Sequence, residues 1–521
     1  MNPPPDLAPL DQAGDACRDA ESARFLPTPR QFLVLLLAYL GLHLALHTLA
    51  SDAIGIDEAD QVALTQGWNW GYGPQPPLYS WLLLLFTGVL GPSPFTLTLL
   101  REVMLFAIYG LTYASARRIT YSHACGVAAA VALQFHPTIV WESQRELTHS
   151  ILASAMILAM LAAFFRMDSR RRGPWLAFGL FGGLSIISKY NAALFYAALL
   201  CAVLSLPGLR PRVLDRRMGL ALLLTLAVIL PNLAWMMTHR DLAFASVYKF
   251  HIQETAPWVE TTRKGLRDWI STAGAHAGVV VAILAIIFLA PIRAGKAPSL
   301  RIPEARLLWR TFLILCLMVV LSVLVLRVTS FKDRWLQPIF VSLPLFLILA
   351  FREGLDRARL KAILSLGALV GLAVLVMASG RLLLVERMNK REVLNAPFRK
   401  LAPDLAPLVG RADFVVAEPR WLAGNLRLWF PQKRIVSADM IPFYPCAGQH
   451  GLLVWETGRE TNLPPALANA ASQLTGRAPT TAPGYLEERW RYHRAKNMRL
   501  GVLAIERAFT TAPPKAPGGS E

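Results

Sequence analysis

Long apolar runs broken by short polar stretches set the pattern of this chain. Segments near 31–50, 96–116, 124–141, 148–165, 174–188, 190–206, 218–238, 275–292, 311–327, 337–351 and 362–380 carry few or no charges. They lie at or somewhat below the roughly 20 residues that a helix needs to cross a bilayer. Residues 174–206 divide into two helices at a break near Lys189. Residues 77–91 are apolar but short, with Pro and Gly on both sides, which predicts an interfacial or re-entrant helix rather than a further crossing. After residue 381 the texture changes. Phe414–Ala417, Ile435–Val436, Leu452–Trp455 and Val502–Ile505 are short β-prone runs, with helix-like pieces near 420–430 and 464–474 between them. Alternation at that spacing predicts a small α/β domain. The expected organisation is a tail over 1–30, a mainly α, polytopic bundle of about eleven crossings over 31–380 with its first outer loop at 52–95, an α/β domain over 381–508 and a disordered tail over 509–521.

Composition agrees with the pattern. Of 521 residues, 54% are hydrophobic and 17% charged, with a mean hydropathy of +0.41. That excludes a soluble enzyme, a disordered chain and a small disulfide-stapled domain. The five cysteines (Cys17, Cys125, Cys201, Cys316 and Cys446) form no C-x-x-C pair, so neither a zinc site nor a disulfide framework is indicated. The net charge of +19 calls for no nucleic-acid partner, because Lys and Arg gather in cytoplasmic loops and against anionic lipid headgroups. Arg117 and Arg118, then Arg166 with Arg170 to Arg172, then Arg210, Arg212, Arg216 and Arg217 occupy alternate turns, followed by the basic loops 293–310 and 352–361. All fall on one side if the N-terminus is cytoplasmic. Residues 52–76 contain no Lys or Arg. This sidedness places the first loop and everything after 381 outside the cytoplasm.

Ionisable groups are costly at membrane depth, so helix ends on one side are where chemistry is expected. The first outer loop, I-G-I-D-E-A-D-Q followed by W-N-W-G-Y-G-P-Q-P-P-L, holds Asp57, Glu58 and Asp60, then Trp68, Trp70, Tyr72 and Gln75. The same loop also fits an acidic surface loop anchored by interfacial tryptophans. The second outer turn, W-E-S-Q-R-E-L-T-H-S, sets Glu142 and Glu146 four residues apart on one helical face, which also fits a self-neutralising helix end. Lys189 stands alone between two apolar runs, either as a functional cation or as a snorkelling lysine. Residues 239–274 read as an outer loop with Arg240, Lys249, His251, Arg263, Lys264 and Arg267, and T-S-F-K-D-R-W-L-Q-P adds Lys332 and Arg334. Cations on the outer side run against the positive-inside tendency, and recognition of an anionic headgroup or phosphate would account for them.

The Asp-Glu pair, the Trp-rich stretch, G-Y and P-P-L before an amphipathic helix resemble the GT-C fold membrane glycosyltransferases that use polyprenyl-phosphate sugars, the group of the protein O-mannosyltransferases and the lipid A aminoarabinose transferase. R-E-L-T-H-S, G-L-S-I-I-S-K-Y, L-P-N-L-A-W-M-M-T-H-R-D and K-D-R-W-L-Q-P extend the resemblance, as does F-V-V-A-E-P-R-W-L-A-G-N-L-R-L-W-F-P at the opening of the α/β domain. The resemblance implies an inverting displacement with Asp57 as general base, Glu58 as its neighbour, and Glu146 at a second acidic position where Asp is commoner. It makes Lys189, His251, Arg334 and Lys332 candidates to hold the donor phosphate, and Trp70, Tyr72 and Gln75 candidates for substrate binding. Gln75 departs from the His or Lys found before the P-P pair in many relatives. No cofactor is required, and a divalent metal beside Asp57, Glu58 and Glu146 is left open. The implied partners are a polyprenyl-phosphate-sugar donor, an envelope acceptor of unspecified kind (lipid, glycan or protein) and membrane lipids. A flippase for lipid-linked glycans and a non-catalytic assembly subunit are the rival functions.

Overall fold

The computed structural model describes residues 19–145, 148–168, 170–245, 256–442, 444–457, 462–479 and 482–507. Glu146, His251 and the tail from 508 onward lie outside them. The chain is a mainly helical, polytopic membrane protein with a small C-terminal sheet. Its contacts divide it into two compact units. One comprises residues up to 45, 69–82 and 98–378, and the other residues 46–68, 83–97 and 379 onward.

Among the described residues, six helices are long and apolar enough to cross a membrane: Pro29–Ala50, Pro94–Thr120, Arg216–Thr238, Trp258–Ile287, Pro303–Leu326 and Arg357–Leu383. Two bent pairs, His123–Phe135 with Thr138–Arg145 and Asp333–Phe340 with Leu343–Gly354, raise the number to eight if each is one span. The first bend, of 78°, falls at His136-Pro137, where proline interrupts the hydrogen-bond ladder. His149–Phe164, Gly173–Ile186 and Ala192–Leu204 are shorter apolar helices. The last two flank the expected break around Lys189.

Burial separates these helices by role. All but one of the sixteen residues of His149–Phe164 are buried, so this helix is enclosed by protein on every side. The outer helices instead expose large apolar side chains, among them Val34, Leu35, Leu223, Val325 and Val376, which suits lipid rather than water. Gly173–Ile186 and Arg216–Thr238 approach closely because Gly179 has no side chain. A Cβ there would lie 2.2 Å from the Ala221 carbonyl oxygen. Small residues play this role at helix contacts in membranes. Thr225 adds polar fastening, its Oγ1 lying 2.8 Å from the Gly179 carbonyl.

One expected loop is mostly helix. Within 239–274 the chain becomes helical at Trp258 and continues to Ile287. Thr261, Gly265, Trp269, Thr272, His276, Val280 and Leu284 are its buried residues, a spacing of three and four that marks one helical face. Arg263, Lys264 and Arg267 are exposed. Those three charges hide the periodicity when the segment is judged by mean hydropathy.

In the second unit, β1 (Phe414–Glu418), β2 (Arg434–Val436), β3 (His450–Thr457), β4 (Gly484–Arg489) and β5 (Asn497–Glu506) form one sheet in the order β2-β1-β3-β5-β4. β1 is parallel to β2 and β3, whereas β5 is antiparallel to β3 and β4. Four strands coincide with the expected β-prone runs, and helices Arg420–Trp429 and Pro465–Thr475 with the expected helical pieces. β4 (G-Y-L-E-E-R) is charged because it lies at the sheet edge, where a fully apolar strand would invite association. Trp455 of β3 lies over Gly501 of β5; a Cβ on Gly501 would come within 2.3 Å of the indole. Helix Phe398–Arg411 buries Phe398, Leu401, Leu405 and Val409, again one face.

Candidate active site

The acidic loop folds as a short helix, Ile56–Leu64, in the second unit. Gly55 is its N-cap, and the Gly55 amide donates to Glu58 Oε2 at 3.3 Å. Asp57 and Glu58 both lie in the first turn, where carboxylates interact favourably with the helix dipole. Their surroundings differ. Glu58 is buried, at 1% exposure, and capped onto its own helix, whereas Asp57 is half-buried. Asp60 sits 3.8 Å from Arg420, which also pairs with Asp439.

Helix Arg420–Trp429 of the α/β region holds this acidic helix. The Trp421 indole N–H donates to the Ile54 carbonyl at 2.9 Å, and the Ile54 amide donates to Asn425 Oδ1 at 2.9 Å. Gly424 lies against the backbone of Ala59, so close that a Cβ would stand 2.1 Å from its oxygen. Gln66 donates to the Ile435 carbonyl at 2.5 Å and Tyr444 to that of Leu64. The R-W-L-A-G-N segment supplies Trp421, Gly424 and Asn425, so its spacing serves to dock the acidic loop.

The cationic candidates lie in the first unit. Lys189 follows the break after helix Gly173–Ile186, and its Nζ donates to Ser150 Oγ at 2.5 Å and to the Arg334 carbonyl. Ser150 Oγ donates to that same carbonyl at 3.0 Å. Asn191 donates to the Trp335 carbonyl at 2.6 Å, and Lys332 is the N-cap of helix Asp333–Phe340. Lys189, Arg334 and Lys332 are therefore gathered around one helix start, although the Arg334 contact uses its backbone oxygen. His149 bonds the Ser188 carbonyl at 3.2 Å and packs on Tyr79, while the Leu78 amide donates to the Ile187 carbonyl at 3.1 Å. These contacts bring the P-P-L-Y segment to the lysine turn. Tyr72 is buried and accepts from the Asn69 amide at 2.8 Å. Trp70 is exposed and packs edge-on with Trp81, ring centres 5.7 Å apart, and Gln75 is half-buried. The expected contributions of Glu146 and His251 fall outside the described residues.

Sequence reasoning passed over two groups here. Ser150 was visible only as the last letter of R-E-L-T-H-S. The other is a buried ionic cluster, in which His43 Nδ1 lies 2.7 Å from Glu102 Oε1 and Arg101 Nε 3.6 Å from the same oxygen. Arg101 also donates to the Arg145 carbonyl at 3.0 Å. Its signal was available, since Arg101 and Glu102 interrupt an apolar run. Among the described residues no group of three or more His, Cys, Asp or Glu is arranged to hold a metal ion.

The chain is 30% identical over 460 residues to the lipopolysaccharide core galacturonosyltransferase RgtB of Rhizobium johnstonii, covering 86% of this chain and 91% of that relative. The chain belongs to the GT-C fold membrane glycosyltransferases. RgtA of the same organism, also a lipopolysaccharide core galacturonosyltransferase, is 30% identical over 82% of this glycosyltransferase and 87% of its own length. Residues 74–235 match the family described as dolichyl-phosphate-mannose-protein mannosyltransferase, a stretch that includes Gln75, Ser150 and Lys189. The fold matches crystal structures of ArnT from Cupriavidus metallidurans. The undecaprenyl-phosphate-bound form gives a TM-score of 0.53 at 16% identity, and the apo form 0.57 at 13%; each covers 90% of this glycosyltransferase and 98% of ArnT.

Proposed function

We propose that this glycosyltransferase moves a uronic acid, galacturonic acid in the first instance, from a polyprenyl-phosphate donor to the lipopolysaccharide core or lipid A on the periplasmic side of the inner membrane. The carrying observation is the 30% identity to RgtB across 91% of that relative's length, joined to Lys189 held at the start of the helix that carries Arg334, with Lys332 at its N-cap. Asp57, more exposed than its neighbour Glu58, takes the proton from an acceptor hydroxyl as its oxygen attacks the anomeric carbon. The bond between that carbon and the phosphate oxygen breaks, and the configuration inverts. The departing polyprenyl phosphate gains one negative charge, which Lys189 and Arg334, with Lys332 and His251, stabilise. Glu58 supports the helix that carries Asp57, Glu146 supplies a second acidic group, and Trp70, Tyr72 and Gln75 border the substrate. A phosphate leaving group needs no strong general acid.

The test is purified protein in detergent with undecaprenyl-phosphate galacturonic acid and lipid A carrying core sugars. Transfer with stoichiometric release of undecaprenyl phosphate is the expected result. Absence of release with that donor and with other polyprenyl-phosphate sugars would overturn the reading, and a flippase would consume no donor in detergent. Reporter fusions at residues 60 and 450 should both report the periplasm. Opposite sides would overturn the orientation.

A further inference from the structure

We propose that a cavity of about 610 Å³ in the second unit binds the phosphate-bearing headgroup of the acceptor glycolipid. Five cations line it (Arg399, Lys400, Arg489, Arg491 and Arg494), against two carboxylates, Asp52 and Glu386. The carboxylates are already engaged. Asp52 lies 2.9 Å from Arg399 and 3.1 Å from Arg491, and Arg491 is further fixed by donating to the Leu49 carbonyl at 3.0 Å. Glu386 accepts the Arg494 backbone amide at 3.3 Å. Lys400 lies 3.8 Å from Glu488. Arg489 and Arg494 are both exposed, and among the described residues neither guanidinium has an ion-pair partner. The cavity therefore keeps an excess of positive charge that its own wall does not neutralise.

Three further observations favour a headgroup over a solvated basic surface. The wall is built, because the Arg491 amide donates to the Asn395 carbonyl at 2.9 Å and Tyr492 takes the left-handed backbone (φ 57°), turning 489–494 around the opening. Two buried wall residues carry polar atoms with no hydrogen-bond partner among the described residues, Trp490 Nε1 and His493 Nε2. The side chains are each 5% exposed. Last, Leu383 ends the membrane-length helix Arg357–Leu383, and Asp52 follows the end of Pro29–Ala50 by two residues, so two of its lining residues adjoin the ends of apolar helices, as a site for a lipid-anchored headgroup would require. Its volume suits a small saccharide bearing an anionic group, and aromatic walls beside arginines suit the carbon face and the charge of such a ligand.

The inference rests on the proposed acceptor being an envelope glycolipid. Its test uses full-length protein in detergent with lipid A carrying its phosphates, dephosphorylated lipid A and inorganic phosphate as probes. Undecaprenyl-phosphate binding serves as the control for a folded donor site. Phosphorylated lipid A should bind, and affinity should fall about tenfold or more in the Arg489→Glu/Arg494→Glu double variant, as expected for the loss of charge-assisted hydrogen bonds. Dephosphorylated lipid A should show a comparable loss, with undecaprenyl-phosphate binding unchanged in the variant. Equal binding of both lipid A forms, or wild-type affinity in the double variant, would overturn the proposal. So would tight binding of inorganic phosphate that lipid A does not compete away. A failure of donor consumption in the wild-type protein would instead strike the transferase reading and leave the lipid A binding result standing.

Discussion

The acidic helix Ile56–Leu64 and the lysine turn around Lys189 are held in place by different means. The helix is fastened by side chains of the α/β domain. Trp421 and Asn425 bond Ile54, and Gly424 clears the way for the Ala59 backbone. The lysine turn is fastened by the membrane helices themselves. Pro338 offers no N–H to the Arg334 carbonyl four residues before it, and Lys189, Ser150 and Asn191 converge on the start of helix Asp333–Phe340. Thus the proposed base is oriented through packing on an α/β domain, and the proposed phosphate clamp through freed backbone within a bundle. On the proposed assignment of Asp57 as base, the α/β domain is part of the catalytic design rather than an appendage.

The largest effect should come from removing the base. Asp57→Asn should lower sugar transfer about 10²–10⁴-fold while leaving membrane insertion and undecaprenyl-phosphate binding intact, as followed by product release and lipid retention. Unchanged transfer would break the acidic half of the comparison. Lys189→Met should cost about 10²–10³-fold in kcat, the scale of one lost electrostatic stabiliser. Lys189→Arg should restore little, because a planar fork replaces a compact ammonium between Ser150 and the Arg334 carbonyl. Full activity in Lys189→Met would mean that the turn serves only to close the bundle.

A smaller effect separates docking from chemistry. Gly424→Val should force helix Ile56–Leu64 from Arg420–Trp429 and destabilise the protein by about 1–3 kcal/mol, seen as a lower Tm. If the docked helix carries the base, transfer should fall with it while undecaprenyl-phosphate binding persists. Loss of Tm with transfer intact would show that the acidic helix need not be held by the domain.

How far the sequence foretold each half follows from the same contrast. Six long spans, eight with the bent pairs, were legible because bilayer thickness imposes a length and a composition on a helix, whereas three of the eleven expected crossings, His149–Phe164, Gly173–Ile186 and Ala192–Leu204, are helices shorter than a full span. The break at Lys189 stood out as a charge in an apolar field. The strands β1, β2, β3 and β5 were legible as short apolar runs. Helix Trp258–Ile287 was not read in full, because Arg263, Lys264 and Arg267 mask a buried face that only periodicity reveals. Nor was the union of residues 46–68 with the α/β domain, since contacts such as Asn425 to Ile54 join positions 371 apart in sequence. Local pattern carries no information about which distant helix a polar side chain will reach. Ser150 illustrates the same limit: a serine is unremarkable until a lysine is set against it.

The smallest effect concerns pH and the strand beneath the acidic helix's partner. A carboxylate immediately before β1, Asp413, and one at its end, Glu418, have opposite tendencies. The Gln449 and His450 amides donate to Asp413 at 2.8 and 2.9 Å, and these two backbone N–H groups hold its pKa below the ordinary carboxylate range. Burial pushes Glu418 above that range, helped by Asp439, while the Ala438 amide and Arg420 pull the other way. A lowered folded-state pKa stabilises above the unfolded value and is lost as pH falls through the folded one. A raised pKa does the reverse, favouring the fold in acid and weakening it as pH rises through the shifted value. Asp413→Asn should therefore lower Tm at neutral pH and flatten the loss of stability that sets in as pH falls from the ordinary carboxylate range through the lowered folded-state pKa. Glu418→Gln keeps an acceptor for the Ala438 amide, 3.0 Å away, and removes a charge that burial disfavours, so Tm should rise at neutral pH and converge with wild type in acid. Glu418 is one residue from the cis-linked start of the segment that carries Arg420, Trp421 and Asn425. A Glu418→Gln protein with a higher neutral Tm and unaltered transfer would show that the domain can be stiffened without moving the acidic helix. A lower Tm would mean that the Glu418 charge is favoured by its surroundings, against the effect of its burial.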